Sequence, residues 1–205
     1  MKPEKLIVVG CSCGGKEACE YLFPLLKLNS SSVVLAPHIQ NDKIYDSLRS
    51  SLGSNVRGIE DSSSLESGNV YVFDRDKIQA PFRNSIILKG NRFNFIESHN
   101  QNSIDNIMIN LTDSYHGNII GVVLSGSGND GSKGVQHIKE NNGSVLVQVE
   151  NSQIRNANSI DRRNNHYYYD AMYYCPKMPF NAQNAVNVDF SGPLSDLVPV
   201  LNAMA

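Results

Sequence analysis

Apolar residues in this chain come in short continuous runs separated by stretches with helical spacing. Runs at 6–10, 32–37, 69–73, 119–126 and 144–149 are rich in Val, Ile and Leu with little polar alternation, as expected of parallel strands covered on both faces. Between them, Ile44, Tyr45, Leu48 and Leu52 fall on one face of a 3.6-residue period, and so do Ile104, Ile107, Met108 and Leu111. A first helix is predicted to start near Gly15 and to stop about Pro24, because a proline ring is not accommodated in a helix interior. The order strand, helix, strand predicts an open, doubly wound, mostly parallel α/β sheet with helices on both faces and right-handed crossovers. One segment departs from this order. Ile86-Ile87-Leu88 and Phe93-Asn94-Phe95 flank Lys89-Gly90-Asn91-Arg92, a pattern that predicts an antiparallel hairpin forming an edge or flap.

Residues 151–169 have no sustained period and are rich in Asn, Arg and Tyr, so they read as a long polar insertion loop. Arg155, Arg162, Arg163 and Tyr167-Tyr168-Tyr169 are residue types that stack on and neutralise a single nucleic-acid strand. The net charge of −2 argues instead for a solvated insertion and for no nucleic-acid partner. With 205 residues and 40% hydrophobic content, residues 1–205 are expected to form one large domain. No apolar run approaches the ~20 residues a bilayer crossing needs, and Met1-Lys2-Pro3-Glu4-Lys5 leads into a strand rather than a signal-peptide core. A cytoplasmic location and no membrane insertion are therefore expected. Cys11, Cys13 and Cys19 crowd one turn while Cys175 stands far away. That spacing is unlike a disulfide framework or a zinc knuckle, so small residues filling a tight turn are expected, with no metal and no cofactor.

Three apolar strands run into turns that carry reactive side chains. Gly10-Cys11-Ser12-Cys13-Gly14-Gly15 places a serine between glycines at a strand-to-helix turn, an arrangement that lifts a hydroxyl out of a sheet. Ala36-Pro37-His38 ends a second strand, and Gly126-Ser127-Gly128-Asn129-Asp130-Gly131 follows the most apolar one. In open α/β sheets ligands bind outside the carboxyl ends of the strands, where Ser12, His38 and Asp130 would be nucleophile, general base and orienting acid. Backbone N–H groups at Cys13, Ser127 and Gly128 are the candidate oxyanion donors. Each residue also has a plainer reading. The glycines alone account for a compact turn, Asn-Asp-Gly is good turn chemistry, and histidines such as His99, His116, His137 and His166 are ordinary surface or core residues. Asp42, Asp105 and Asp113 are expected on solvated faces. Cys13 is a secondary candidate nucleophile. The same turn nearly spells a phosphate-binding loop, but Glu17 follows Lys16 where the hydroxyl that holds magnesium is required.

The constellation resembles the catalytic domain of the chemotaxis protein-glutamate methylesterases, the CheB family, whose motifs G-A-S-T-G-G, Q-H-M-P and G-M-G-N-D-G fall in the same order. Asn69-Val70-Tyr71-Val72 is similar to the family's V-Y-I-A strand, Ser103-Ile104-Asp105 to its P-S-V-D helix start, and Met178-Pro179 to its late G-M-P. The resemblance implies a serine hydrolase that cleaves glutamyl methyl esters on the cytoplasmic helices of methyl-accepting chemoreceptors, with glutamine deamidation as a second reaction. It implies Ser12, His38 and Asp130 as catalytic residues. The chain departs from the family at Gln40-Asn41-Asp42, Gln101-Asn102, Ser127 and Lys177, positions near the expected substrate groove. These departures keep open a non-catalytic module that binds a receptor or signalling partner. The family's N-terminal receiver domain is not expected here, which leaves a separate receiver protein as a possible regulator in trans.

Overall fold

The computed structural model describes residues 1–38, 44–73, 85–98, 103–150 and 174–205. The polar segment 151–169 and Asp42, His99, Gln101, Asn102 and His166 lie outside the described residues.

Seven strands form one sheet: β1 (Lys5–Cys11), β2 (Ser31–Pro37), β3 (Val56–Gly58), β4 (Val70–Val72), β7 (Asn118–Val123), β8 (Ser144–Gln148) and β9 (Phe190–Gly192). Their spatial order is β3-β4-β2-β1-β7-β8-β9, and every pairing is parallel. Around them lie α1 (Gly15–Leu22), α2 (Ile44–Leu52), α3 (Ser103–Ser114), α4 (Ser132–Glu140), α5 (Lys177–Ala185) and α6 (Leu194–Met204). The α-helical part of the first helix ends at Leu22, and Phe23–Leu25 continue as a 3-10 turn around Pro24.

Alternation along the strands splits the core in two. Leu6 and Val8 of β1 pack with Ile104, Ile107 and Met108 of α3 and with Val135 and Ile138 of α4. Ile7 and Val9 face the other way, towards Ala18 and Leu22 of α1, Leu48 of α2 and Leu197 of α6. Both faces of β1 are thus covered, which explains its unbroken apolar run.

The expected hairpin forms from β5 (Ser85–Lys89) and β6 (Arg92–Ile96), with Lys89 opposite Arg92 across a two-residue turn. It is a separate two-stranded sheet rather than an added strand at the edge of the larger one. Ile86, Leu88 and Phe93 are buried in the α3-side core, and the Leu88 N–H donates to the Ser114 Oγ at the end of α3.

From β1 the chain steps outward to β2 on one side, whereas the later strands β7 and β8 build outward on the other. The reversal falls between β1 and β7, and doubly wound sheets bind their ligands at the carboxyl ends of the strands at such a point.

Candidate active site

Cys11 pairs with Pro37 at the carboxyl ends of β1 and β2. Ser12 and His38 therefore leave neighbouring strands at the same level. The His38 N–H donates to the Cys11 carbonyl (2.8 Å), and the Ser12 N–H donates to the Ser125 carbonyl just past β7 (3.0 Å). Both side chains are partly exposed. The Ser12 carbonyl accepts from the Gly15 N–H (2.8 Å), and Gly14 caps α1 with φ 71°, a backbone conformation that glycine adopts without a Cβ penalty. The glycine-rich sequence is thus what permits so abrupt a change from strand to helix.

Asp130 is 6% exposed and precedes α4. Its Oδ1 accepts from the Asp105 N–H (2.9 Å) and its Oδ2 from the Ile104 N–H (3.2 Å), so the carboxylate satisfies the first turn of α3. Burial raises its pKa above the ordinary carboxylate value, the two N–H donors pull it back, the Asp105 charge raises it, and His38 lowers it.

Cys13 is exposed, and its carbonyl accepts from the Ser125 hydroxyl (2.7 Å). Ser127 is exposed and Gly128 partly exposed in the turn after β7. The Gly128 carbonyl accepts from Asn181 Nδ2 of α5 (2.7 Å). The turn is further held by the Gly126 N–H donating to the Cys175 carbonyl (3.0 Å) and by the Met178 N–H donating to the Gly126 carbonyl (2.9 Å).

Two expectations need correction. Asp105 is no solvated acid: it is 2% exposed, and its Oδ1 accepts from the Gly134 N–H in the first turn of α4 (2.8 Å). A short acidic side chain at a helix start is suited to such backbone donors. Cys175 does not stand apart from the cysteine-rich turn, because it is disulfide-bonded to Cys13, with 6.1 Å between their Cα atoms. The parallel sheet brings together residues 162 positions apart in sequence. Asp113 is the solvated acid expected, exposed and paired with His137 Nε2 (2.6 Å).

Sequence reasoning also passed over Ser125 and Gln148. Buried Gln148 offers its Oε1 to the Ser125 N–H (2.8 Å). Its signal was a lone amide inside the Val145–Val149 run. In the near-phosphate loop, Lys16 is paired with Glu20 one turn on (2.8 Å). Among the described residues no cluster of three or more His, Cys, Asp or Glu side chains is placed to hold a metal. No helix among them is long and apolar enough to cross a membrane.

The fold superposes on the crystal structure of the Thermotoga maritima CheB methylesterase catalytic domain with a TM-score of 0.75, 20% identity and 100% of both chains covered. The family model and the curated relatives define a hydrolase of the methylesterase type. A family model described as CheB methylesterase matches residues 7–157, and the chain belongs to that family. One relative from Leptospira interrogans (strain Fiocruz L1-130) is 29% identical over 150 residues, covering 69% of this chain and 75% of its own. The Escherichia coli (strain K12) protein-glutamate methylesterase/protein-glutamine glutaminase is 26% identical over 157 residues. The match spans 74% of this chain but 45% of the Escherichia coli protein, less than half its length.

Proposed function

We propose that the chain hydrolyses γ-glutamyl methyl esters on the cytoplasmic helices of a methyl-accepting chemoreceptor, with residues 1–205 as one catalytic domain working in the cytoplasm. Ser12 is the nucleophile, His38 the general base and then general acid, and Asp130 the residue that orients the imidazole. The observation that carries this reading is the register that ends β1 and β2 level, so that Ser12 and His38 leave neighbouring strands together, with the buried Asp130 carboxylate just ahead of α4.

In the first half-reaction the Ser12 Oγ attacks the ester carbonyl carbon while His38 takes its proton. N–H groups of Cys13 and of the Ser127-Gly128 turn receive the developing oxyanion, each donor being worth about 3 kcal/mol. The histidine returns the proton to the departing methoxide, and methanol leaves. Water, deprotonated by His38, then attacks the acyl-serine to release the glutamate and restore Ser12. Ammonia in place of methanol gives the glutamine deamidation named for the Escherichia coli relative.

Covalent labelling with a fluorophosphonate probe tests the assignment directly. Adduct mapped to Ser12, together with methanol release from methylated receptor fragments, is the expected result. Wild type and Ser12→Ala equally inert, both still binding receptor fragments, would replace the hydrolase by a receptor-binding module.

A further inference from the structure

The Cys13–Cys175 pair begins one residue from Ser12, and its surroundings set it apart from the other two cysteines. Cys13 is exposed and Cys175 partly so, whereas Cys11 and Cys19 are fully buried. Burial also pushes the Cys19 thiol well above its usual pKa, which suppresses the thiolate needed for oxidation. Ser125 ties the backbones of Cys13 and Cys175 together by hydrogen bonds, which a covalent link reinforces. The Ser125 hydroxyl donates to the Cys13 carbonyl (2.7 Å) and accepts from the Cys175 N–H (2.7 Å), while the Cys175 carbonyl accepts from the Gly126 N–H. The Cα separation of 6.1 Å falls inside the window of about 4.4–6.8 Å that a disulfide spans. The two thiols of the reduced chain are therefore held at bonding range by one serine.

We infer that Cys13 and Cys175 form a reversible redox site, oxidised by a peroxide and reopened by a dithiol, which stiffens the Ser12 turn when closed. The Cys13 thiolate attacks one peroxide oxygen and hydroxide leaves; the Cys175 thiol then displaces water from the resulting sulfenic acid. Two thiols and one hydrogen peroxide thus give one disulfide and two waters. A dithiol reverses the step by exchange, ending as its own disulfide. In a reducing compartment such as the cytoplasm, disulfides of this kind are transient and redox-sensing rather than structural. Closing the bond joins the turn of Ser12 to Tyr174–Met178 and fixes the Cys13 peptide. The effect on catalysis rests on the esterase reading above, and the direction follows: the oxidised chain is the faster enzyme.

The full chain, reduced with dithiothreitol or treated with hydrogen peroxide, tests this in three ways. Peroxide is expected to lower the intact mass by about 2 Da, with peptide mapping joining Cys13 to Cys175. Amide exchange at residues 12–15 is expected to slow by about tenfold on oxidation. Hydrolysis of an activated ester is expected to run several-fold faster in kcat in the oxidised chain, with Cys175→Ala keeping the reduced enzyme's rate and ignoring peroxide. No mass loss, a link through Cys11 or Cys19, or identical exchange in the two states would overturn the inference, as would equal rates in an active enzyme. A chain inert in both states counts against the esterase reading, while mass and exchange still decide the redox site.

Discussion

Asp105 and Asp130 each satisfy the helix start that belongs to the other. Asp130, just ahead of α4, accepts the Ile104 and Asp105 N–H groups of α3, and Asp105, in the first turn of α3, accepts the Gly134 N–H of α4. The positive ends of two helices thereby hold two buried carboxylates side by side. One consequence is that the backbone under the proposed orienting acid is locked by a residue with no part in the chemistry.

Substitutions at Asp130 separate its structural role from its proposed catalytic one. Asp130→Asn keeps one oxygen for the helix start and removes a buried charge, so its stability cost is expected to be about 1 kcal/mol or less. Activity is expected to fall on the order of 10⁴-fold, since the amide favours the wrong histidine tautomer. Asp130→Ala orphans two buried N–H groups at roughly 1–3 kcal/mol each. Denaturant melts beside ester assays check both; equal stability loss in the two variants would refute the separation.

Ser12 and His38 are expected to act as a unit. Either alanine variant should lose nearly the whole triad contribution, on the order of 10⁶-fold, with the double variant scarcely worse. Multiplicative losses in kcat would argue that the two side chains do not cooperate.

The pH dependence follows from the upward shift of Asp130, which burial causes and the Asp105 charge reinforces. A carboxyl raised in the folded state contributes stability below its unfolded pKa, and that contribution is gone once the pH rises through the folded value. Under the proposed mechanism activity runs the other way, because orienting His38 needs the carboxylate. Its acid limb for Asp130 is expected above the ordinary carboxylate value of about 3.9, and Asp105→Asn should move that limb downward. A pH–rate profile unmoved by this variant would show that the Asp105 charge does not reach Asp130.

Helices α3 and α4 approach so closely that a Cβ on Gly134 would lie 2.6 Å from the Met108 Cβ. Gly134→Ala is expected to cost about 1–3 kcal/mol through overpacking and to loosen the Gly134–Asp105 bond. Thermal unfolding measures the first effect, and amide exchange at Gly134 the second.

Far from the site, Asp189 ties β8 to the chain entering β9. Its carboxylate accepts the Val145 N–H (2.7 Å) and pairs with Lys139 (2.9 Å). Burial opposes ionisation, yet these donors together hold its carboxyl below the usual value. The stabilisation is present above the unfolded pKa and is lost as the pH falls through the folded one. Asp189→Asn should therefore narrow the stability difference from wild type as acid is added, read from melts across acidic pH.

The sheet was legible wherever a strand is covered on both faces. The runs that form β1, β2, β7 and β8 needed no partner information to be recognised, and α3 revealed its buried face through Ile104, Ile107, Met108 and Leu111. β3 and β9 were missed because each has three residues at an edge, where a single buried face leaves no continuous apolar run. Ser12, His38 and Asp130 stood out because each follows a strand that the pattern had already defined. Asp105 and the Cys13–Cys175 bond did not, because both depend on which helix or segment returns to the sheet's carboxyl edge. Composition and local spacing carry no record of that return.

The central position of β1 has a further consequence for the nascent chain. Its partner β2 emerges early, but the other flank stays open until Asn118–Val123 has been synthesised. Until then the largely apolar β1 presents unpaired amides and carbonyls along that flank, the exposure that invites edge-to-edge association. Pairing across so long a separation is also slow to form. Expression at low temperature, or with chaperones in excess, is accordingly the condition under which this chain should be recovered soluble in highest yield.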